Sequence, residues 1–227
     1  MIARMPTTTA RTDIFNAWIR GWAITREVAP PLPHADGWRI LVGQPKQVAR
    51  YVFERASPTL RELGATISTP WVLLKAGASA DELRALLPAS WELQPDGFMM
   101  TCGDAPFRAR ADLPAGYSLH IDDDAAAART RRAHVQVRAP DGGIAAAGHL
   151  ALDDRFAIYD RIVTDPGHRR LGLGQAVMRA LQAIAHAHGR HAGVLVATPA
   201  GRALYESIGW RLHGPWATAV IPATEAP

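Results

Sequence analysis

The segment Asp165-Pro-Gly-His-Arg-Arg-Leu-Gly-Leu-Gly-Gln175 has the residue types of an anion cradle. Gly172 and Gly174 stand one residue apart, so the backbone can turn tightly and approach a ligand with no Cβ in the way. The segment falls between a predicted strand and a long predicted helix. A helix start leaves amide groups without internal partners, and those amides with the helix dipole suit a phosphate. Arg169 and Arg170 add positive charge beside them. Other candidates carry less chemistry. Cys102 follows Met99 and Met100 in an apolar run, the setting of a buried, inert thiol; a nucleophilic cysteine needs an electropositive, partly exposed one. His186, His188 and His191 crowd a helix end, but helix C-termini favour cations in any case and the spacing matches no strong zinc motif, so no metal is expected. Asp122–Asp124 is expected as a solvated turn, with recognition of a cationic acceptor as its alternative.

The elements that must position this loop follow from periodicity. Thr12 and Asp13 can cap a helix in which Ile14, Phe15, Trp18, Ile19 and Trp22 recur at helical spacing, ending before Pro30, Pro31 and Pro33. Strands are predicted at Trp38–Val42, Val48–Glu54 and Trp71–Leu74, with helices from Ser57 to Leu63 and from Ser79 to near Pro88. Trp91–Leu93 and Phe98–Cys102 form a predicted hairpin around Pro95-Asp96-Gly97. Residues 104–116, rich in Pro, Ala and charge, are the expected linker between an N-terminal lobe, 1–103, and a C-terminal domain, 117–227. In that domain Tyr117–Ile121 is a strand, and Ala133–Arg138 and Ile144–Leu152 form a hairpin across Asp141-Gly142-Gly143. Phe156–Thr164 is a strand, the long helix runs to about His188, and Gly193–Val196, Pro199–Ser207 and two strands around Gly214-Pro215 close the chain. Trp71-Val-Leu-Leu, a helix with Leu83 and Leu86, and Trp91-Glu-Leu share a rhythm with Gly193-Val-Leu-Val, Leu204 and Trp210-Arg-Leu, an internal repeat of a strand–helix–strand unit.

From Tyr117 onward the chain resembles the GNAT superfamily of acyl-CoA N-acyltransferases. The signature Arg/Gln-x-x-Gly-x-Gly/Ala after a strand ending apolar-x-Val-x-Pro is similar to Ile162-Val-Thr-Asp-Pro followed by Arg169-Arg-Leu-Gly172-Leu-Gly174. Leu204-Tyr205-Glu-Ser-Ile-Gly209-Trp210 is similar to the family's Leu-Tyr-x-x-x-Gly-Phe. The resemblance implies an α/β fold with a mixed sheet, in two tandem lobes if the repeat is real, the N-terminal one degenerate and binding no CoA. It implies acetyl-CoA as acyl donor, its pyrophosphate held by backbone amides from Arg170 through Leu171, Gly172, Leu173 and Gly174 to Gln175. Val163 and Thr164 would pair with the pantetheine arm, and the strands carrying Ile162–Thr164 and Val194–Val196 would splay to admit it. Tyr205 would lie near the sulfur and protonate the leaving thiolate. Thr198 stands seven residues before Tyr205, where the family often has Asn. Asp160 stands where several members carry a catalytic carboxylate. An alkylammonium costs on the order of 4–5 kcal/mol to deprotonate at neutral pH. A nearby carboxylate can relay that proton, and a backbone amide near Val163 or Thr164 can stabilise the oxyanion.

Where the family places two helices after its first strand, only about ten residues separate Ile121 from Ala133, so the N-terminal half is expected to supply that wall. The acceptor expected is a primary amine on a small molecule, with a protein or peptide amine as the alternative; a non-catalytic acyl-CoA-binding module is the reading from another class. Composition narrows the rest. Of 227 residues 48% are apolar, the net charge is +4, and Lys46 and Lys75 are the only lysines, which points away from a nucleic-acid partner. Cys102 is the single cysteine, so no intrachain disulfide forms and a reducing compartment fits. No stretch has the length and apolarity of a signal peptide or a membrane span, so no membrane partner and a cytoplasmic location are expected.

Overall fold

The computed structural model describes residues 8–107, 112–124 and 131–223. In chain order it has α1 (Thr8–Arg26), β1 (Leu32–His34), β2 (Gly37–Gln44), β3 (Gln47–Phe53), α2 (Pro58–Thr66), β4 (Val72–Ala76), α3 (Ala80–Arg84), β5 (Glu92–Leu93) and β6 (Gly97–Cys102). There follow β7 (Ser118–Asp122), β8 (Arg132–Arg138), β9 (Ile144–Leu152), β10 (Phe156–Thr164), α4 (Leu173–Ala187), β11 (Ala192–Ala197), α5 (Pro199–Ser207) and β12 (Arg211–Val220). They form two compact units whose segments interleave, rather than two consecutive stretches. The first unit takes the chain through Arg26, then Thr101–Leu195 and Ala203–Arg211; the second takes Glu27–Met100, Val196–Arg202 and the chain from Leu212.

In the first unit β7, β8, β9 and β10 are antiparallel neighbours, and β11 joins β10 in parallel. A parallel partner requires a crossover, which α4 provides. The helix α4 covers one face, where Gly148 of β9 lies against Val177 and Leu181. The other face is covered over β9 and β10 by α1, from the far N-terminal end. Phe15, Trp18, Ile19 and Trp22 are buried along α1. Burial of each such side chain contributes about 1.5–3 kcal/mol. Gly21 makes the close approach possible, since a Cβ there would lie 2.5 Å from Ile158 Cγ1. Thus α1 covers β9 and β10 on this face. It starts at Thr8, before the Thr12-Asp13 pair expected to cap it. Nothing between Thr8 and Thr12 breaks a helix, and Asp13 is used instead in an ion pair with Arg155 at 2.7 Å. The start of the expected linker is packed here too: Phe107 is buried, and its amide donates to Gln182 Oε1 at 2.9 Å.

The second unit repeats the pattern. β2 and β3 are antiparallel, β3 and β4 are parallel, and α2 makes the crossover, as β9, β10, α4 and β11 do in the first unit. The core holds Phe53, Leu60, Leu74, Leu83 and Trp91, whose indole N–H donates to the Gly64 carbonyl at 3.0 Å. α3 begins with a capping box: the Glu82 amide donates to Ser79 Oγ and the Ser79 amide to the Glu82 carboxylate. Three expectations change here. A short strand, β1, carries Pro33 and pairs with β2, at the edge position that prolines tolerate. β5 pairs with β12, Leu93 against Ala219, instead of forming a hairpin with β6. The closing pair of strands is one strand, β12, running through Gly214-Pro215 and pairing with β4 from Ala217 to Val220.

Candidate active site

β10 carries the site towards α4. It pairs with β9 throughout, but the register shifts between Asp160 and Val163, where Arg161 takes φ 55°. Its pairing with β11 covers Phe156–Ile158 against Ala192–Val194 and stops, although both strands run on. The opening expected between them therefore begins after Ile158 and Val194. Beyond it Val163 is 60% exposed. A short turn at Pro166–His168 follows, capped by Asp165, whose carboxylate accepts from the Gly167 amide at 2.9 Å. His168 is held by the Tyr117 hydroxyl at 2.8 Å.

The loop then reverses into α4. Arg170 has φ 61° and Gly172 φ 81°, with Leu171 between them. Left-handed residues at alternate positions turn neighbouring amides towards a common point, the geometry of an anion nest. Gly172 is the N-cap of α4, and no side chain caps the helix there. The first-turn amides thus face a cleft of about 450 Å³ lined by Thr164, Arg169, Arg170, Gly172, Leu173, Gly174, Gln175 and Leu204. A Cβ on Gly174 would come 3.3 Å from both Thr164 Oγ1 and Leu204 Cδ2, so the cleft floor is tight. Amides without a cap, two arginines and no carboxylate suit a pyrophosphate. Of the residues expected at the pyrophosphate, Arg169, Arg170, Gly172, Leu173, Gly174 and Gln175 line this cleft and Leu171 does not, while Thr164, expected at the pantetheine arm, lines it too.

Leu204 joins the second motif to this cleft and sets Tyr205 next to it in sequence. Tyr205 is 7% exposed, and its ring lies 6.1 Å from Trp210. Burial, aided by the charge of Asp160, raises the hydroxyl above its ordinary value, so it stays protonated and can donate. Thr198 falls in the second unit, where its hydroxyl accepts from the Gly201 amide at 3.1 Å in the first turn of α5.

Asp160 is occupied. Its Oδ2 accepts from Arg26 Nε at 2.7 Å and from the Thr25 hydroxyl at 2.9 Å, and Oδ1 accepts from Arg26 at 3.2 Å. Burial pushes its carboxyl up, but Arg26 and Thr25 outweigh it and hold the group below the ordinary carboxylate value. A carboxylate so held accepts a proton less readily than a free one. A folded value below the unfolded one gives stability that is present above the unfolded value and lost as pH falls through the folded one. Asp160→Asn should therefore be less stable than wild type at neutral pH, with the gap closing in acid, below 3.8 and the lowered native value. Urea denaturation at stepwise lower pH reads this; a pH-independent gap would remove the ion pair from the account.

Sequence reasoning missed the partners of Asp160 and two imidazoles beside it. His149 is the cross-strand neighbour of Asp160, and His134 stacks on His149 with ring centroids 4.2 Å apart. Burial, then His134 and Arg161, bring His149 down to about 4, so it is neutral at neutral pH. Counting the hairpin register back from Asp141-Gly142-Gly143 puts His134 opposite Gly148, and the register shift between Val137 and Arg138 moves it to His149; no sequence pattern would have brought Arg26 to Asp160. Cys102 is half-buried rather than fully buried as expected, and desolvation pushes its thiol up to about 12. It should resist alkylation in the native protein at neutral pH and react fully in denaturant, as mass spectrometry would show. Native-state labelling at the rate of a free thiol would contradict that shift.

The second unit has a related cleft of about 380 Å³ between the start of α2 and α3, but with different chemistry. Pro58, at the first turn of α2, has no N–H to offer. Nearby, burial alone would raise Asp36, yet the Thr59 and Ser57 side chains with Arg55 hold its carboxyl below the ordinary value. An internal carboxylate thus already meets the start of α2. Acetyl-CoA should accordingly titrate at one per chain by calorimetry; two equivalents would mean this unit also binds it.

The acetyltransferase (GNAT) domain family model matches residues 131–212. No curated protein matches the sequence. Among solved structures, a GCN5-related N-acetyltransferase from Kribbella flavida is 15% identical with TM-score 0.60, over 89% of this chain and 93% of that one. A GCN5-related N-acetyltransferase-like protein from Streptococcus suis is 14% identical with TM-score 0.57, over 85% and 84%. A tandem GNAT protein from the clavulanic acid biosynthesis pathway is 16% identical with TM-score 0.53, over 84% of this chain and 80% of that one. At these identities the likeness is one of fold, and it takes in the N-terminal half. The family match takes in the loop, α4 and α5, and the fold over most of the chain is that of GNAT structures.

Proposed function

We propose that the chain is an N-acetyltransferase that moves an acetyl group from acetyl-CoA to a primary amine of a small molecule by direct attack. The observation that carries this reading is the uncapped, glycine-led start of α4, set in a cleft with Arg169 and Arg170 and next to the point where β10 leaves β11. In this reading the amides from Arg170 to Gln175 bind the pyrophosphate of the donor. The backbone of Ile162, Val163 and Thr164 aligns the pantetheine arm and offers an amide to the oxyanion. Tyr205 gives its proton to the departing thiolate. With both its oxygens engaged, Asp160 fits an anchor of α1 beside the acceptor face better than a relay for the amine's proton.

The test has two stages. Acetyl-CoA at saturating concentration should raise Tm, since a ligand that binds only the folded state stabilises it. A panel of small amines should then include one that releases thiol from acetyl-CoA only with enzyme present. No stabilisation would sink the reading. Stabilisation with turnover on peptide amines alone would replace the acceptor class, and stabilisation with no turnover on either panel would leave a binding module. Because the Cys102 thiol is pushed up to about 12, thiol detection at neutral pH reads the product rather than the enzyme.

A further inference from the structure

We propose that Asp104, His186 and His191 form a binding site for one zinc(II) ion, outside the acyl-transfer machinery. Three elements bring these residues together: Asp104 follows β6, His186 lies in the last turn of α4, and His191 directly precedes β11. Each offers one ligand atom, and the three atoms lie within 4.8 Å of one another. His191 Nδ1 is 2.8 Å and His186 Nε2 is 4.0 Å from the same oxygen, Asp104 Oδ1. The imidazole centroids are 4.8 Å apart, tilted by 42°. Ligands at zinc bond lengths in a tetrahedron stand about 3.3 Å from one another. The observed separations bracket that value, so small side-chain rotations reach it.

The backbone beneath the site is already fixed. Gln182, buried one turn before His186, donates to the Ala105 carbonyl at 3.0 Å and accepts from the Phe107 amide at 2.9 Å. The segment carrying Asp104 is thereby fastened to α4 before any ion arrives. The Asp104 and His191 side chains are exposed, so an ion reaches them from solution. Two imidazoles with one carboxylate favour a borderline d-block cation over magnesium or calcium, which prefer all-oxygen donors. The remaining coordination position would hold water. The spacing of the histidines alone gave no such site, because the third ligand comes from Asp104, far away in sequence.

The experiment is zinc titration of the tag-free full chain by calorimetry, with thermal denaturation in parallel. One equivalent should bind and raise Tm, and magnesium should do neither. Asp104→Asn and His191→Gln alter exposed side chains and leave the core intact. Each should weaken zinc binding at least about tenfold. Their stabilisation by acetyl-CoA should stay at the wild-type level, which separates this site from the donor cleft. His134→Gln, at the other histidine pair, should leave zinc affinity unchanged. The proposal is overturned if zinc does not saturate at one equivalent, if the Asp104 and His191 variants bind as wild type does, or if His134→Gln alone abolishes binding.

Discussion

Gly172→Val should weaken acetyl-CoA binding by at least about a hundredfold, roughly 2.8 kcal/mol. Gly172 sits at φ 81° and ψ 1°. A β-branched residue is a strong outlier in that region, and an ordinary side chain there costs about 1–2 kcal/mol. The chain relieves that strain by moving the residue towards negative φ, which rotates the amides at the start of α4 away from the cleft. Each charge-assisted bond from an amide to phosphate is worth about 1.5–3 kcal/mol, so misdirecting even one of them accounts for the rest. Asparagine tolerates the left-handed region, so Gly172→Asn should keep most of the affinity, and alanine should fall between. Calorimetry with acetyl-CoA reads the series, and urea denaturation shows whether the valine protein is still folded. Wild-type affinity in folded Gly172→Val would mean that the pyrophosphate is not held by this loop.

The series tests the part of the molecule that was most readable in advance. The anion cradle is local: glycine spacing, a strand before, a helix after and arginines beside it are all properties of consecutive residues. The structure accordingly places Arg169, Arg170, Gly172, Leu173, Gly174 and Gln175 around one cleft, with Leu204 among its lining. Period and turn chemistry likewise located most strands and helices. They do not say which faces meet. The stripe of Phe15, Trp18, Ile19 and Trp22 foretold a core-facing helix but not that it lies on β9 and β10, far along the chain. Cap-type residues at Thr12 and Asp13 misplaced its start, because such residues sit inside a helix when nothing ends it there.

The same limit explains Asp160. Strand alternation put the carboxylate on one face, and a carboxylate on a sheet face is an equally good base or ion-pair partner until its neighbours are known. Arg26, at the end of α1, engages it through two bonds that no sequence pattern encodes. The second unit shows both sides of the limit. The repeat of strand, helix and strand was visible in the residues. That Asp36, from the turn between β1 and β2, would stand at the start of α2 was not. β5 was misassigned for the same reason: a short apolar segment next to a Pro-Asp-Gly turn fits a hairpin locally, but β12 is the partner it finds.

Tyr205→Phe should lower kcat by at least about tenfold, and by about a hundredfold or more if the hydroxyl is the main proton donor to the thiolate. The substitution removes one oxygen and keeps the ring that lies 6.1 Å from Trp210, so affinity for acetyl-CoA should hardly change. A fall in kcat with KM for acetyl-CoA unchanged marks an interaction made only in the transition state. Burial and the charge of Asp160 keep the hydroxyl protonated, so the wild-type rate should show no alkaline loss from Tyr205 in the range where free tyrosine titrates, near its ordinary 10.0. A further contrast isolates the step itself. An acyl donor whose thiolate is a better leaving group needs less help from an acid, so the deficit of Tyr205→Phe should shrink with such a donor. A deficit that stays constant across donors, in a variant as stable as wild type, would assign Tyr205 to orienting the thioester. Equal kcat for wild type and variant would reduce it to a packing residue beside the cleft.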